Sequence, residues 1–106
     1  MDKELFFKIK DRLKEIDYSP LPKNLQDSLR LYLEKGIPPG DFLRAVLEND
    51  LINTVRFADR INRDKIYYLV RFIRFYVPVA CWGSKENVQE WIELHKQYKE
   101  NEEVEK

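Results

Sequence analysis

Apolar side chains recur along most of this chain at spacings of three and four, the period of a helix with one face on a core. Over residues 2–17 the stripe is Leu5, Phe6, Ile9, Leu13 and Ile16, with charged groups from Lys8 to Glu15 filling the other side. Pro20 and Pro22 stop it, because two prolines so close together cannot both sit in a helix interior. Residues 23–35 repeat the pattern with Leu25, Leu29, Tyr32 and Leu33, and Gly36 suits the position just past a helix end. After the rigid turn Ile37-Pro38-Pro39-Gly40, short helices are predicted at 41–48 and 51–58, the second capped by Asp50. A last helix, 85–98, starts from Ser84 and turns Val88, Trp91, Ile92 and His95 inward. Strict alternation of apolar and polar residues is almost absent, so no sheet is expected.

The stretch 62–77 is the most apolar of all. As one helix capped by Asn62, it sets Ile66, Leu69, Val70, Ile73, Tyr76 and Val77 on one broad side, and Tyr68, Phe72 and Phe75 widen that arc. Only Arg63, Tyr67, Arg71 and Arg74 form a polar strip. A helix apolar over most of its circumference is normally buried. The expectation is therefore an all-α bundle of five or six short helices around a central buried helix at about 62–77. The organisation expected is an N-terminal helical extension at 1–19, a core domain at 20–99 and a disordered acidic tail at 100–106.

Charge changes this picture locally. Lys plus Arg and Asp plus Glu both number 19, so the chain is neutral overall, which argues against a bulk nucleic-acid binder. Residues 56–74, however, carry six basic groups against two acidic, and residues 75–106 carry four against seven. The basic zone and the acidic tail can pair within one chain or across a homo-oligomer. A single cysteine, Cys81, leaves no internal disulfide and fits a reducing, cytoplasmic setting. No stretch approaches the roughly 18 apolar residues of a membrane span, and the first ten residues lack the apolar segment of a signal peptide.

Little in the chain suggests catalysis. His95 is the one histidine, Cys81 has no CxxC partner, and phosphate-loop, dinucleotide and nucleophile-elbow patterns are missing. No catalytic residue, metal site or cofactor is expected. The basic strip is the sharper signal. On one continuous helix Arg63, Arg71 and Arg74 fall within about 80° of each other, with Tyr67 between them. Arginine forks match phosphate or carboxylate, and tyrosine adds a stacking face. The strip leads through Trp82 to the helix beginning at Ser84, whose free N–H groups favour an anion. Arg63, Tyr67, Arg71, Arg74, Trp82 and Ser84 thus frame a candidate site for a phosphate-bearing, nucleotide-like ligand, with Asn49, Asp50, Asp59 and Asn62 as secondary candidates. The bland reading pairs the arginines with Asp59, Asp64, Glu86 or Glu90.

From 21 to 94 the chain resembles a group of small, mostly uncharacterised proteins of tailed phages and prophages. The matching pieces are Gly36-Ile37-Pro38-Pro39-Gly40, Phe42-Leu43, Ala45-Val46-Leu47, Asn49-Asp50-Leu51, Ala58-Asp59 with Asn62, Cys81-Trp82-Gly83-Ser84, Glu86, Val88 and Trp91. Phe57 stands where the pattern expects arginine. The resemblance implies a phage accessory protein, cytoplasmic in an infected bacterium, of the kind that blunts host defence by occupying a host protein or by sequestering a nucleotide signal; the basic strip makes sequestration of a nucleotide-like ligand the leading expectation. The alternative is a module that inhibits a host defence protein through the N-terminal helix or the tail. Nucleic-acid binding ranks lower.

Overall fold

The computed structural model describes residues 1–105, with side chains described as far as Tyr98; the acidic tail expected at 100–106 lies outside the described side chains. Among the described residues seven α-helices follow one another: α1 (Lys3–Leu13), α2 (Lys23–Lys35), α3 (Asp41–Leu47), α4 (Leu51–Phe57), α5 (Arg60–Arg63), α6 (Ile66–Tyr76) and α7 (Lys85–Glu105). A single 3-10 turn, Val79–Cys81, joins α6 to α7. No strand occurs among the described residues, so the all-α class holds.

Local chemistry sets most of the helix boundaries. The Asp2 carboxylate accepts the Leu5 N–H at 2.8 Å, the Asp50 carboxylate the Asn53 N–H at 3.1 Å and the Asp59 carboxylate the Asn62 N–H at 2.7 Å. Each satisfies one of the orphan donors at a helix start. Asn49, before the second cap, takes φ 59°, a left-handed conformation that asparagine tolerates better than most residues. Alanine at Asp50 should cost about 1 kcal/mol in urea unfolding, the usual worth of a lost cap. A lower loss would mean that Asn53 finds another acceptor.

The core is drawn from five helices. Phe6, Ile9 and Leu13 of α1 meet Leu25, Leu29, Tyr32 and Leu33 of α2, the apolar face of α3, Leu69, Phe72 and Ile73 of α6, and Val88, Trp91 and Ile92 of α7. Phe6 sits with its ring 5.0 Å from those of Trp91, His95 and Tyr98. The boundary expected near residue 19 therefore separates no second core, and Phe6, Ile9 and Leu13 of the α1 stripe are already covered by their own chain. Two buried donors tie distant segments together: Tyr32 OH to the Cys81 carbonyl at 2.7 Å, and Trp91 Nε1 to the Leu33 carbonyl at 3.1 Å. Made inside the core, such bonds leave no polar atom uncompensated.

The helix expected at the centre is not there. A turn at Asp64 and Lys65 divides 62–77, so that Asn62 lies inside α5 and α6 begins at Ile66 without a side-chain cap. Only Leu69, Phe72 and Ile73 of α6 are buried. Tyr67, Tyr68, Phe75 and Tyr76 are 65%, 58%, 68% and 60% exposed. The helix lies on the surface and turns much of its apolar arc to solvent. α4 behaves in the same way, burying Thr54 while Leu51, Ile52 and Val55 face outward.

Candidate functional site

On α6, helical steps carry the side chains from Val70 through Arg74, Tyr67 and Arg71 to Phe75 and Tyr68 across the exposed arc. The arginines occupy its middle and apolar groups flank them on both sides. Arg71 and Phe75, one turn apart, form a ridge between two open grooves. One, of about 530 Å³, is lined by Pro20, Tyr68, Arg71, Phe72, Phe75 and Tyr76. The other, of about 620 Å³, is lined by Ile66, Tyr67, Val70, Arg71, Arg74 and Phe75.

The rings along these grooves are braced against each other. Phe72, at the floor, packs against Tyr76 at 5.0 Å and Tyr18 at 5.9 Å, and Tyr67 meets Tyr68 edge-on at 5.5 Å. The Tyr18 hydroxyl is buried without a hydrogen-bond partner among the described residues, and desolvation pushes its pKa up to about 12. The Arg74 guanidinium lies 5.7 Å from the centre of the Phe75 ring. Neither Arg63, Arg71 nor Arg74 has a carboxylate within 4.0 Å among the described residues. The pairing with Asp59, Asp64, Glu86 or Glu90 is thus not made. Glu90 instead meets the chain's own amino terminus at 3.6 Å.

The six-residue site framed from the sequence comes together only in part. Tyr67, Arg71 and Arg74 share one groove. Arg63 belongs to α5, beyond the turn, and lines neither groove. Trp82 donates its Nε1–H to the Val77 carbonyl at 3.1 Å, and its own carbonyl accepts from Asn87 Nδ2 at 2.9 Å. Ser84 Oγ accepts the Asn87 N–H at 3.0 Å as the cap of α7. The Gly83 N–H reaches back to the Leu47 carbonyl at 2.7 Å. Cys-Trp-Gly-Ser is therefore a structural corner that fastens the start of α7 to the end of α3.

The secondary candidates are structural as well. Asp50 and Asp59 are caps, Asn49 supplies the left-handed turn, and Asn62 is buried, its Oδ1 without a partner among the described residues. Cys81 is fully buried, with its thiol pKa raised by desolvation, and His95 sits in the core against the Leu33 carbonyl at 3.1 Å. No group of three or more His, Cys, Asp or Glu side chains suited to a metal occurs among the described residues. No described helix is long and apolar enough to cross a membrane.

Tyr68, Val70, Phe75 and Tyr76, which the helical pattern places in the buried arc, are exposed and line the grooves instead. Nothing in periodicity separates an apolar face turned to a core from one turned to solvent. The arrangement offers an open, aromatic-rimmed cationic ridge with no enclosed cavity. Compared with known proteins, the chain matches no family model, no curated protein and no solved structure.

Proposed function

We propose that this chain is a non-enzymatic docking module that engages a protein partner through the segment from α4 to α6. One observation carries the reading. Of fifteen exposed large apolar side chains among the described residues, eleven fall between Leu51 and Val79. A monomer seldom leaves so many large apolar groups of one segment in water unless they are covered in use. The resemblance to phage-encoded proteins supports a bacterial defence protein as the one covered, with inhibition by occupation as the mode of action.

Site-specific photocrosslinking tests this. A benzoylphenylalanine at position 67 or 75 should give discrete protein adducts in bacterial cells, while the same group at exposed Lys8 on α1 should not. Adducts from all three positions alike, or from none, would refute the docking side.

A second reading keeps the phosphate-bearing ligand on Arg71 and Arg74. The absence of a carboxylate beside them among the described residues favours it, and the open grooves disfavour a small, enclosed ligand. Native mass spectrometry of protein purified from bacteria decides. A nucleotide-sized mass released on denaturation supports sequestration, and an unliganded chain that still forms α6 adducts favours the protein partner.

A further inference from the structure

Resting on the docking reading above, we infer that the occupant of the α6 face is an acidic amphipathic helix, whose apolar side chains fill the two grooves and whose carboxylates meet Arg71 and Arg74. The grooves flank a ridge built on an i, i+4 row, the surface relief into which ridges of a second helix pack. With no strand among the described residues, the module offers no sheet edge for an extended peptide to join, and the paired grooves along α6 suit helix-in-groove recognition.

Charge selects the chemistry of that helix. Arg71 and Arg74 stand in the middle of the exposed arc, and α6 contains no acidic residue. A partner covering the arc removes both guanidiniums from water, and burying a charge unpaired is expensive. The partner must therefore bring carboxylates, and Arg71 and Arg74, three residues apart, call for two acidic side chains about one turn apart.

A second copy docked α6 against α6 fits poorly. Two α6 faces brought together would set arginine against arginine, and like charges across an interface are strongly disfavoured. Single-stranded nucleic acid would use the tyrosines and arginines but leave Val70, and Leu51, Ile52 and Val55 of α4, uncovered.

The test uses the full chain and fluorescence anisotropy. Two labelled synthetic helical peptides share a leucine face, one bordered by glutamates and the other by lysines. The glutamate peptide should bind on the order of tenfold more tightly than the lysine peptide. The Arg71→Glu, Arg74→Glu double variant should invert that preference. Both positions are exposed, so folding is retained, and circular dichroism checks this. Phe75→Ser should weaken both peptides.

Equal affinities, no binding of either peptide, or tighter binding of an oligothymidylate would overturn the inference. So would sedimentation of the wild-type chain as a dimer that Phe75→Ser dissociates. If crosslinks form at positions 67 and 75 while the peptides fail, the docking side stands and only the acidic helix falls. If the crosslinks are also absent, the docking reading itself is lost.

Discussion

Replacing Gly36 with alanine is expected to destabilise the fold by about 2–5 kcal/mol, the largest effect expected of an alanine at any of the three glycines. Two costs combine. Gly36 closes α2 at φ 70°, a conformation that costs an alanine roughly 1–2 kcal/mol. Its new Cβ would then fall 2.5 Å from His95 Cβ and 2.6 Å from Cγ, well inside contact distance. His95 has little room to retreat, since it is buried with the Phe6 and Trp91 rings both 5.0 Å away. Overpacking of this kind adds about 1–3 kcal/mol. Against a typical total of about 5–15 kcal/mol, much of the molecule's stability is at stake. Gly40→Ala is the matched control, because a Cβ there meets nothing within 4 Å and φ is −66°. Urea midpoints with an unchanged slope measure both variants. Similar midpoints for the two would show that α2 and α7 can separate at Gly36 without loss.

That contact also marks how far a sequence can be read. Gly36 was legible as a helix stop, because a single glycine after an amphipathic run has a local physical meaning. Its seat against His95 was not, because nothing local pairs residues so distant along the chain. The all-α class was legible from the spacing of Leu25, Leu29, Tyr32 and Leu33 and from their counterparts in α1, α3 and α7. The surface position of α6 was not. A helix apolar on most sides satisfies the rule for a buried helix equally well when part of that surface is reserved for another molecule.

Site residues divide along the same line. Arg71, Arg74 and Tyr67 stand out in the sequence because charge on an apolar helix is conspicuous, and they share one groove. Trp82, Ser84, Asp50, Asp59, Asn49 and Asn62 looked equally suited to a ligand. Each has local work as a cap, a turn or a corner, except that the buried Oδ1 of Asn62 is left without a partner among the described residues. Polar residues that bind the backbone and polar residues that bind a ligand are the same types. Only the hydrogen-bond geometry tells them apart.

Acid should weaken this protein through His95 in particular. Burial, followed by the neighbouring Lys10 charge, holds its pKa down to about 4 from an ordinary 6.5, and Lys35 pushes the same way. The hydrogen bond between Nε2 and the Leu33 carbonyl pulls in the opposite direction without prevailing. In the unfolded chain the imidazole takes up a proton as pH falls below its ordinary value, while in the folded chain it stays neutral until about pH 4. The unfolded state therefore binds more protons across that window, and stability must fall as pH falls through it. The stabilisation from the neutral ring is fully present above the unfolded value and is lost on the way down, about 3 kcal/mol in all.

His95→Gln isolates this contribution, because glutamine can still donate to Leu33 but does not titrate. Urea unfolding from about pH 7 to about pH 4 should show the wild type losing about 3 kcal/mol more than the variant. Carboxylates common to both chains cancel in that difference. A lower baseline for the variant would not matter, since the reading is the slope. Parallel slopes would mean that the imidazole is protonated at ordinary pH inside the core. The shared Leu33 carbonyl, accepting from both Trp91 and His95, would then be stabilising a cation rather than a neutral ring.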